Sequence, residues 1–279
     1  MTSAIVVVTG ANGLVGSHVV SALGERGATV RAVVRRVGTA PQHPAVEEHV
    51  GDFADPVFAA TVVAGADALV TTVHPLGSGR DDQRRVGFDG TLAIAEAAVD
   101  AGVPLLVHVS TAGVYDRSPE VGDVDVALAR MQGTTRVLLR PPAILGPGAT
   151  SVWNTVRPAQ MRDDEGERHA NPDQTFAWVH VDDLATIAAD LATGAIATAA
   201  DPEAGPVAGG CTPVNVASGP ATQRDYLGAV TEALGVEPTW EEGPAWTGQI
   251  LAERAQRWGW APRVDLTTAL EELKSGLKG

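Results

Sequence analysis

The stretch from Ile5 to Glu25 constrains the fold of this chain more than any other. An apolar run, Ile5–Thr9, leads into Thr9-Gly10-Ala11-Asn12-Gly13-Leu14-Val15-Gly16 and on into an amphipathic stretch, Leu14–Glu25. A strand that turns into a helix through G-x-x-G-x-x-G uses glycine where the backbone must approach something closely. The first N–H groups of such a helix have no partner within it. They point outward at the positive end of its dipole and favour a diphosphate. The physics favours a dinucleotide, against the plainer reading of an ordinary glycine-rich turn between strand and helix.

Behind this turn the first half of the chain alternates short β-rich runs with alanine-rich helical stretches, the pattern of βαβ units on a parallel sheet. Strands are expected at Ile5–Thr9, Thr29–Val34, 48–51, 68–73, 105–110 and 136–140, with helices at Leu14–Glu25, 56–64 and 86–101. The runs at 5–9, 68–73 and 105–110 are largely apolar, as strands covered on both faces are. After residue 150 the character changes. Residues 157–174 are polar and loop-like, 178–181 reads as a strand and 183–192 as a helix. Residues 201–213 read as a surface connection, followed by a strand at 214–217 and helices at 224–234 and 267–274. This divides the chain into a dinucleotide-binding domain over 1–150, to which 176–195 returns, and a smaller substrate-binding domain formed by 151–175 and 196–279.

The formal charge of −14 argues against a general affinity for nucleic acid or anionic membranes. No apolar run reaches the ~20 residues of a membrane span. A single cysteine, Cys211, excludes an internal disulfide and fits a reducing compartment, and nothing near residue 1 reads as a signal peptide, so the cytoplasm is expected. The seven histidines are scattered and suggest no metal site.

The end of the second strand separates the two dinucleotides, because a carboxylate there binds a ribose 2′-hydroxyl whereas arginine pairs with a 2′-phosphate. The chain reads Val33-Val34-Arg35-Arg36. Guanidinium forks match phosphate oxygens, which points to NADP(H), with NAD still open and two solvated arginines as the alternative.

With these motifs in view, the chain resembles the extended and atypical short-chain dehydrogenase/reductases, the superfamily of sugar-nucleotide epimerases and dehydratases. Thr9–Gly16 is similar to the family's T-G-x-x-G-x-x-G, Gly51-Asp52-Phe53-Ala54-Asp55 to its G-D-x-x-D, and Gly90-Thr91 to its helical G-T. Leu139-Arg140-Pro141-Pro142-Ala143-Ile144-Leu145-Gly146 resembles its L-R-P-x-x-I-x-G, and Val179-His180-Val181-Asp182-Asp183-Leu184-Ala185 its H-V-D-D-L-A. The resemblance implies a Rossmann-type doubly wound parallel sheet, an α/β fold, with a smaller C-terminal substrate domain. It also implies a cofactor site made of Gly10, Asn12, Gly13, Leu14, Val15, Gly16, Arg35, Arg36, Asp52, Phe53, Thr71, Thr72, Val73, Ser110, Pro141, Pro142 and Ile144. Asp52 would take the adenine amine. His180 and Asp182 read as structural, and His108 as a core residue. Gly87 departs from the pattern, standing where an asparagine is usual.

Val109-Ser110-Thr111-Ala112-Gly113-Val114-Tyr115 is similar to the family's S-S-x-x-V-Y, which puts Thr111 at the hydroxyl that polarises a substrate oxygen. The family's acid/base, a tyrosine in Y-x-x-x-K, is missing. Four residues after Tyr115 stands Pro119, four after Tyr226 stands Val230, and the two lysines are Lys274 and Lys278. Residues 116–125 read as loop, which leaves only 126–132 for a crossover helix that wants at least ~10–12 residues. A segment carrying tyrosine and lysine is therefore expected to be missing beside Asp125, with Tyr115 or water as weak substitutes.

Two classes of function follow. One is an NAD(P)-dependent oxidoreductase or epimerase moving hydride to or from a carbonyl or alcohol of a small-molecule substrate, as a monomer or homodimer. The other is a non-catalytic NADP(H)-binding sensor or scaffold. A third and weaker reading is an isomerase or lyase in which nicotinamide is structural.

Overall fold

A computed structural model describes residues 3–74, 81, 83–116, 119–148 and 151–278. Seven parallel strands form the central sheet: β1 (Ile5–Thr9), β2 (Thr29–Val34), β3 (Val46–Val50), β4 (Ala68–Thr71), β5 (Leu105–Val109), β6 (Thr135–Arg140) and β10 (Cys211–Asn215). Their spatial order is β10-β6-β5-β4-β1-β2-β3, so the chain reverses direction between β1 and β4. In open α/β sheets ligands bind beyond the carboxyl ends of the strands at such a reversal.

Helices cover both faces. On one lie α1 (Leu14–Glu25) and α6 (Val181–Ala192), whose Val19, Val20, Leu23, Leu184 and Ile187 pack on Val6, Val8, Val70 and Val107. On the other lie α2 (Pro56–Val63), α3 (Thr91–Asp100) and α4 (Pro119–Arg130), with Val62, Ile94, Ala98 and Leu128 against Val7, Leu69, Leu106 and Leu138. Alternate residues of each strand feed the two layers, as the period of a strand requires. Arg26 bonds Asp190 at 2.8 Å and His18 bonds Asp182 at 2.5 Å, tying α1 to α6.

A smaller unit stands beyond the carboxyl edge. Its sheet has the order β11-β9-β7, from β7 (Ala143–Leu145), β9 (Thr175–His180) and β11 (Gly219–Thr222). Its core joins Leu145 and Trp178 to Met161 of α5 (Arg157–Asp163), Tyr226 and Val230 of α7 (Gln223–Leu234), and Leu273 of α9 (Leu266–Lys278). A two-stranded ladder joins β8 (His169–Ala170) and β12 (Thr239–Trp240), and α8 (Glu253–Arg257) precedes α9.

Several boundaries differ from the sequence reading. The largest difference is α4. Residues 116–125 are not a loop throughout, because a helix covers the twelve residues Pro119–Arg130. The β5–β6 crossover therefore has a helix of ordinary length, and the architecture gives no reason to infer a missing segment beside Asp125. The expected helix 86–101 divides into a wide π-type turn, Gln83–Gly90, and α3. Residues 157–174 hold α5 and a short 3₁₀ turn, Glu165–Arg168. The strand expected at 214–217 is β10, which begins three residues earlier and joins the main sheet instead of the smaller unit; β11 and β12 follow it. Pro213 is tolerated there because β10 is an edge strand paired only to β6.

Candidate functional site

A cleft of about 610 Å³ opens at the carboxyl ends of β1, β2, β4, β5 and β6. Gly10, Asn12, Gly13, Leu14 and Val15 form its floor at one end. Gly10 has φ +69°, and a Cβ there would stand 2.9 Å from the Thr72 hydroxyl. Gly13 caps α1 without any side-chain acceptor, so the first amides of the helix remain available to an anion. A Cβ on Gly16 would lie 2.1 Å from the Gly10 carbonyl oxygen, so only glycine lets helix and turn approach this closely. Thr72 donates its hydroxyl proton to the Thr9 carbonyl at 2.8 Å and fixes the end of β4 against the turn.

Towards β2 the cleft is bordered by Val33, Val34, Arg35, Gly51, Phe53 and Arg85. Phe53 is buried, and its ring fills the space that a Cβ on Gly90 would need. Arg36 is exposed and outside the lining. Asp52 also lies outside the lining, and its carboxylate accepts the Ala54 amide at 3.0 Å. Glu48 of β3 accepts the amides of Gly38, Thr39 and Ala40 at 2.9–3.1 Å, and these bonds hold its pKa below the usual carboxylate value.

Towards β5 the lining consists of Val73, His74, Val109, Ser110, Thr111, Pro141, Pro142, Ile144, Ser151, Val152 and Trp153. Thr111 Oγ1 accepts the Gly113 amide at 3.0 Å, which leaves its own proton to donate into the cleft. Ser110 donates to Asp125 Oδ1 at 2.6 Å, and Asp125 Oδ2 is clamped by Arg140 at 2.8 Å and 3.0 Å. Asp125 is 5% exposed, so its charge is matched out of water by Arg140. The smaller unit contributes Trp153, stacked on Phe176 at 5.2 Å.

Besides Arg36 and Asp52, two more residues expected at the site, Tyr115 and Thr71, lie outside the lining. Tyr115 is outside the lining: its hydroxyl donates to Asn215 Oδ1 at 2.6 Å and accepts from Arg140 at 3.3 Å. Thr71 is buried, with Oγ1 2.7 Å from His108 Nδ1. Burial drives the His108 pKa down to about 4; Asp125 opposes that shift and His74 adds to it. The other tyrosine, Tyr226, is fully buried with its hydroxyl bonded to the Trp153 carbonyl, and burial pushes its phenol upward. His180 is buried against Glu272 at 2.8 Å. Trp258 and Trp260 are core residues, and none of Trp240, Trp246, Trp258 and Trp260 borders the cleft. Sequence reasoning did not single out His74, Arg85, Asp125 or Trp153 as site residues. Only Asp125 had a signal, as an acidic residue near the expected catalytic helix. The other three depend on register and on the approach of the smaller unit.

A family model described as NAD(P)H-binding matches residues 10–195. The ceramide reductase of Caulobacter vibrioides is 33% identical over 158 residues, covering 52% of this chain and 48% of the relative. Sterol demethylase protein B of Methylococcus capsulatus is 32% identical over 169 residues, 50% of this chain and 51% of the relative. The chain thus spans about half the length of these curated relatives. Among solved structures, the Bordetella bronchiseptica enzyme WbmH with NAD+ superposes with a TM-score of 0.76 at 19% identity, covering 98% of each chain. The UDP-glucose 4-epimerase of Thermus thermophilus with NAD gives 0.71 at 19% identity, covering 99% of each. At that identity the likeness establishes the fold alone, a Rossmann-type parallel sheet flanked by helices.

Proposed function

Because this chain belongs to the NAD(P)H-binding family, we propose that it is an NADP(H)-dependent oxidoreductase acting on a carbonyl or alcohol of an apolar small molecule. The observation that carries the proposal is one cleft bordered at one end by the uncapped start of α1 and at the other by Thr111. A cleft that joins free helix amides to a hydroxyl donor suits a dinucleotide held by its diphosphate. When bound, the nicotinamide supplies or accepts hydride, and the residues present fit such a group: glycine cradles that a Cβ would fill, and free helix amides.

In this reading the amides at Gly13–Val15 hold the diphosphate, Arg35 pairs with the 2′-phosphate and Phe53 flanks the adenine. Glu48 is occupied by the amides of 38–40, which supports the 2′-phosphate over a free 2′-hydroxyl. Thr111 donates to the substrate oxygen. Pro142, Ile144, Val152 and Trp153 give the substrate an apolar wall, in keeping with the ceramide and sterol named in two relatives. Those relatives carry enzyme names, which favours turnover over the sensor reading. Among the described residues no helix is long and apolar enough to cross a membrane. The lone cysteine fits a cytoplasmic enzyme.

The test is NADPH consumption by the purified protein with a panel of steroid ketones, long-chain ketones, aromatic aldehydes and sugar nucleotides. Reduction of apolar ketones or aldehydes in preference to sugar nucleotides is expected. Dinucleotide binding without consumption for any member contradicts the proposal.

A further inference from the structure

The cleft so described can hold hydride chemistry yet lacks the tyrosine and lysine that would move the accompanying proton. Thr111 orients an oxygen, but an alcohol exchanges no net proton near neutral pH without a partner. The proton must come from a group that touches the cleft. Among the described residues bordering it, the side chains carrying an ionisable group are Arg35, Arg85 and His74. Arginine stays charged throughout the working pH range, whereas imidazole changes charge within it.

The order of the strands brings His74 to the same wall of the cleft as Thr111. β4 and β5 run parallel, with Thr71 opposite His108. β4 ends at Thr71 and β5 at Val109, so His74 and Thr111 leave neighbouring strands at the same edge of the sheet, and His74 stands close enough to His108 of β5 to act on its charge. Both residues border the same part of the cleft, just past the ends of their strands. The buried ionisable groups beneath are committed elsewhere. His108 is bonded to Thr71, and Asp125 receives the Ser110 proton while Arg140 holds its second oxygen.

We infer that His74 is the acid/base of this site, giving a proton to the substrate oxygen in reduction and taking it back in oxidation. The inference rests on the oxidoreductase reading above. In reduction a nicotinamide dinucleotide held in the cleft would supply the hydride that forms the new C–H bond at the carbonyl carbon. The π pair passes to oxygen, which takes the imidazolium proton of His74. The products are the alcohol, neutral imidazole and the oxidised dinucleotide. Thr111 donates a hydrogen bond to the same oxygen throughout.

The pH dependence has a definite sign. Partial desolvation at the cleft wall holds the pKa of this imidazole, which still meets solvent, below the ordinary histidine value of 6.5. Around it stand His108 of β5, Arg85 of the 83–90 turn and, beyond His108, the Asp125–Arg140 pair. Reduction uses the imidazolium, so its kcat/KM falls as pH rises above that pKa. Oxidation uses the neutral ring and reaches its plateau above it.

The test uses the full chain with His74→Gln and His74→Asn. Carbonyl reduction is measured across roughly pH 5–8, the range in which histidine titrates. NADPH affinity is followed by calorimetry, and the wild-type His74 ring by nitrogen NMR. Both variants should bind NADPH as wild type does. They should lose about 10²–10⁴-fold in kcat/KM at the acid end and lose the pH slope, as removal of a general acid does. In wild type the ring should titrate at the break in the rate profile. Variants that keep the wild-type rate and slope overturn the role of His74, as does a ring that titrates away from the break. A wild type that binds NADPH yet reduces no carbonyl overturns the oxidoreductase reading and this role with it, a result distinct from the other two.

Discussion

At one end of the cleft stand the main-chain amides of Gly13, Leu14 and Val15, proposed to hold a diphosphate, where Gly10 and Gly16 leave no room for a side chain. At the other end, side chains from several elements gather: His74 just past β4, Ser110 and Thr111 just past β5, and behind them Asp125 of α4 and Arg140 at the end of β6. Backbone geometry tolerates few sequences, so the first end is written in a short contiguous motif. Side-chain chemistry can be moved between elements while the fold stays intact. In this chain the tyrosine and lysine are gone, yet the crossover helix, the sheet and the cleft are all present.

The contrast can be broken first at its backbone end. Gly16→Val puts a Cβ 2.1 Å from the Gly10 carbonyl oxygen and should abolish dinucleotide binding. It should also cost about 1–3 kcal/mol of stability through overpacking. Calorimetry and thermal unfolding read both effects, and wild-type affinity in this variant would remove the turn from the site.

Thr111→Val acts at the opposite end. It should lower kcat by about 10²–10³-fold, the loss expected for one donor to a developing oxyanion, and leave NADPH affinity unchanged. Steady-state kinetics with a carbonyl substrate would show an unaltered rate if Thr111 plays no part.

Next in size is an effect on folding. His108 titrates at about 4 in the folded chain, because burial penalises its charge, against 6.5 when unfolded. Between those values the unfolded chain binds a proton that the folded chain does not. Stability is therefore fully present above about pH 6.5 and falls by up to about 3 kcal/mol as the pH drops to about 4. Urea midpoints over that interval should slope in wild type and flatten in His108→Gln; equal slopes would place the acid sensitivity elsewhere.

The smallest effect separates the two dinucleotides. Arg35→Ser should weaken NADP binding by about 10–100-fold, the worth of a charge-assisted pair, and spare NAD. Parallel loss of both would mean that Arg35 serves the adenosine in general.

The same contrast governs what could be read from the chain. Gly10, Gly13 and Gly16 predict the turn, and the apolar runs of β1, β4 and β5 predict a parallel sheet, because those requirements are local. Helix α4 was illegible: Pro119, Gly122, Asp123 and Asp125 each favour loops in isolation, and tertiary packing of Leu128 overrides them. β10 was misplaced because Pro213 argues against a strand unless the strand is known to be an edge. Thr71 and Thr72 are neighbours in sequence, yet one faces the buried His108 and the other the cleft, an alternation that only the strand register assigns. His74 reaches the same edge of the sheet as Thr111 only because β4 and β5 are neighbours. Tyr115 matches a motif, but Arg140 and Asn215 hold its hydroxyl away from the cleft.

Whether the open amides of α1 grip a diphosphate is read most directly by titrating NADPH into the purified protein in a calorimeter, with Gly16→Val alongside. One saturable site per chain, lost in the variant, is the expected result. No heat with any oxidised or reduced pyridine dinucleotide, or equal heat from wild type and variant, would contradict it.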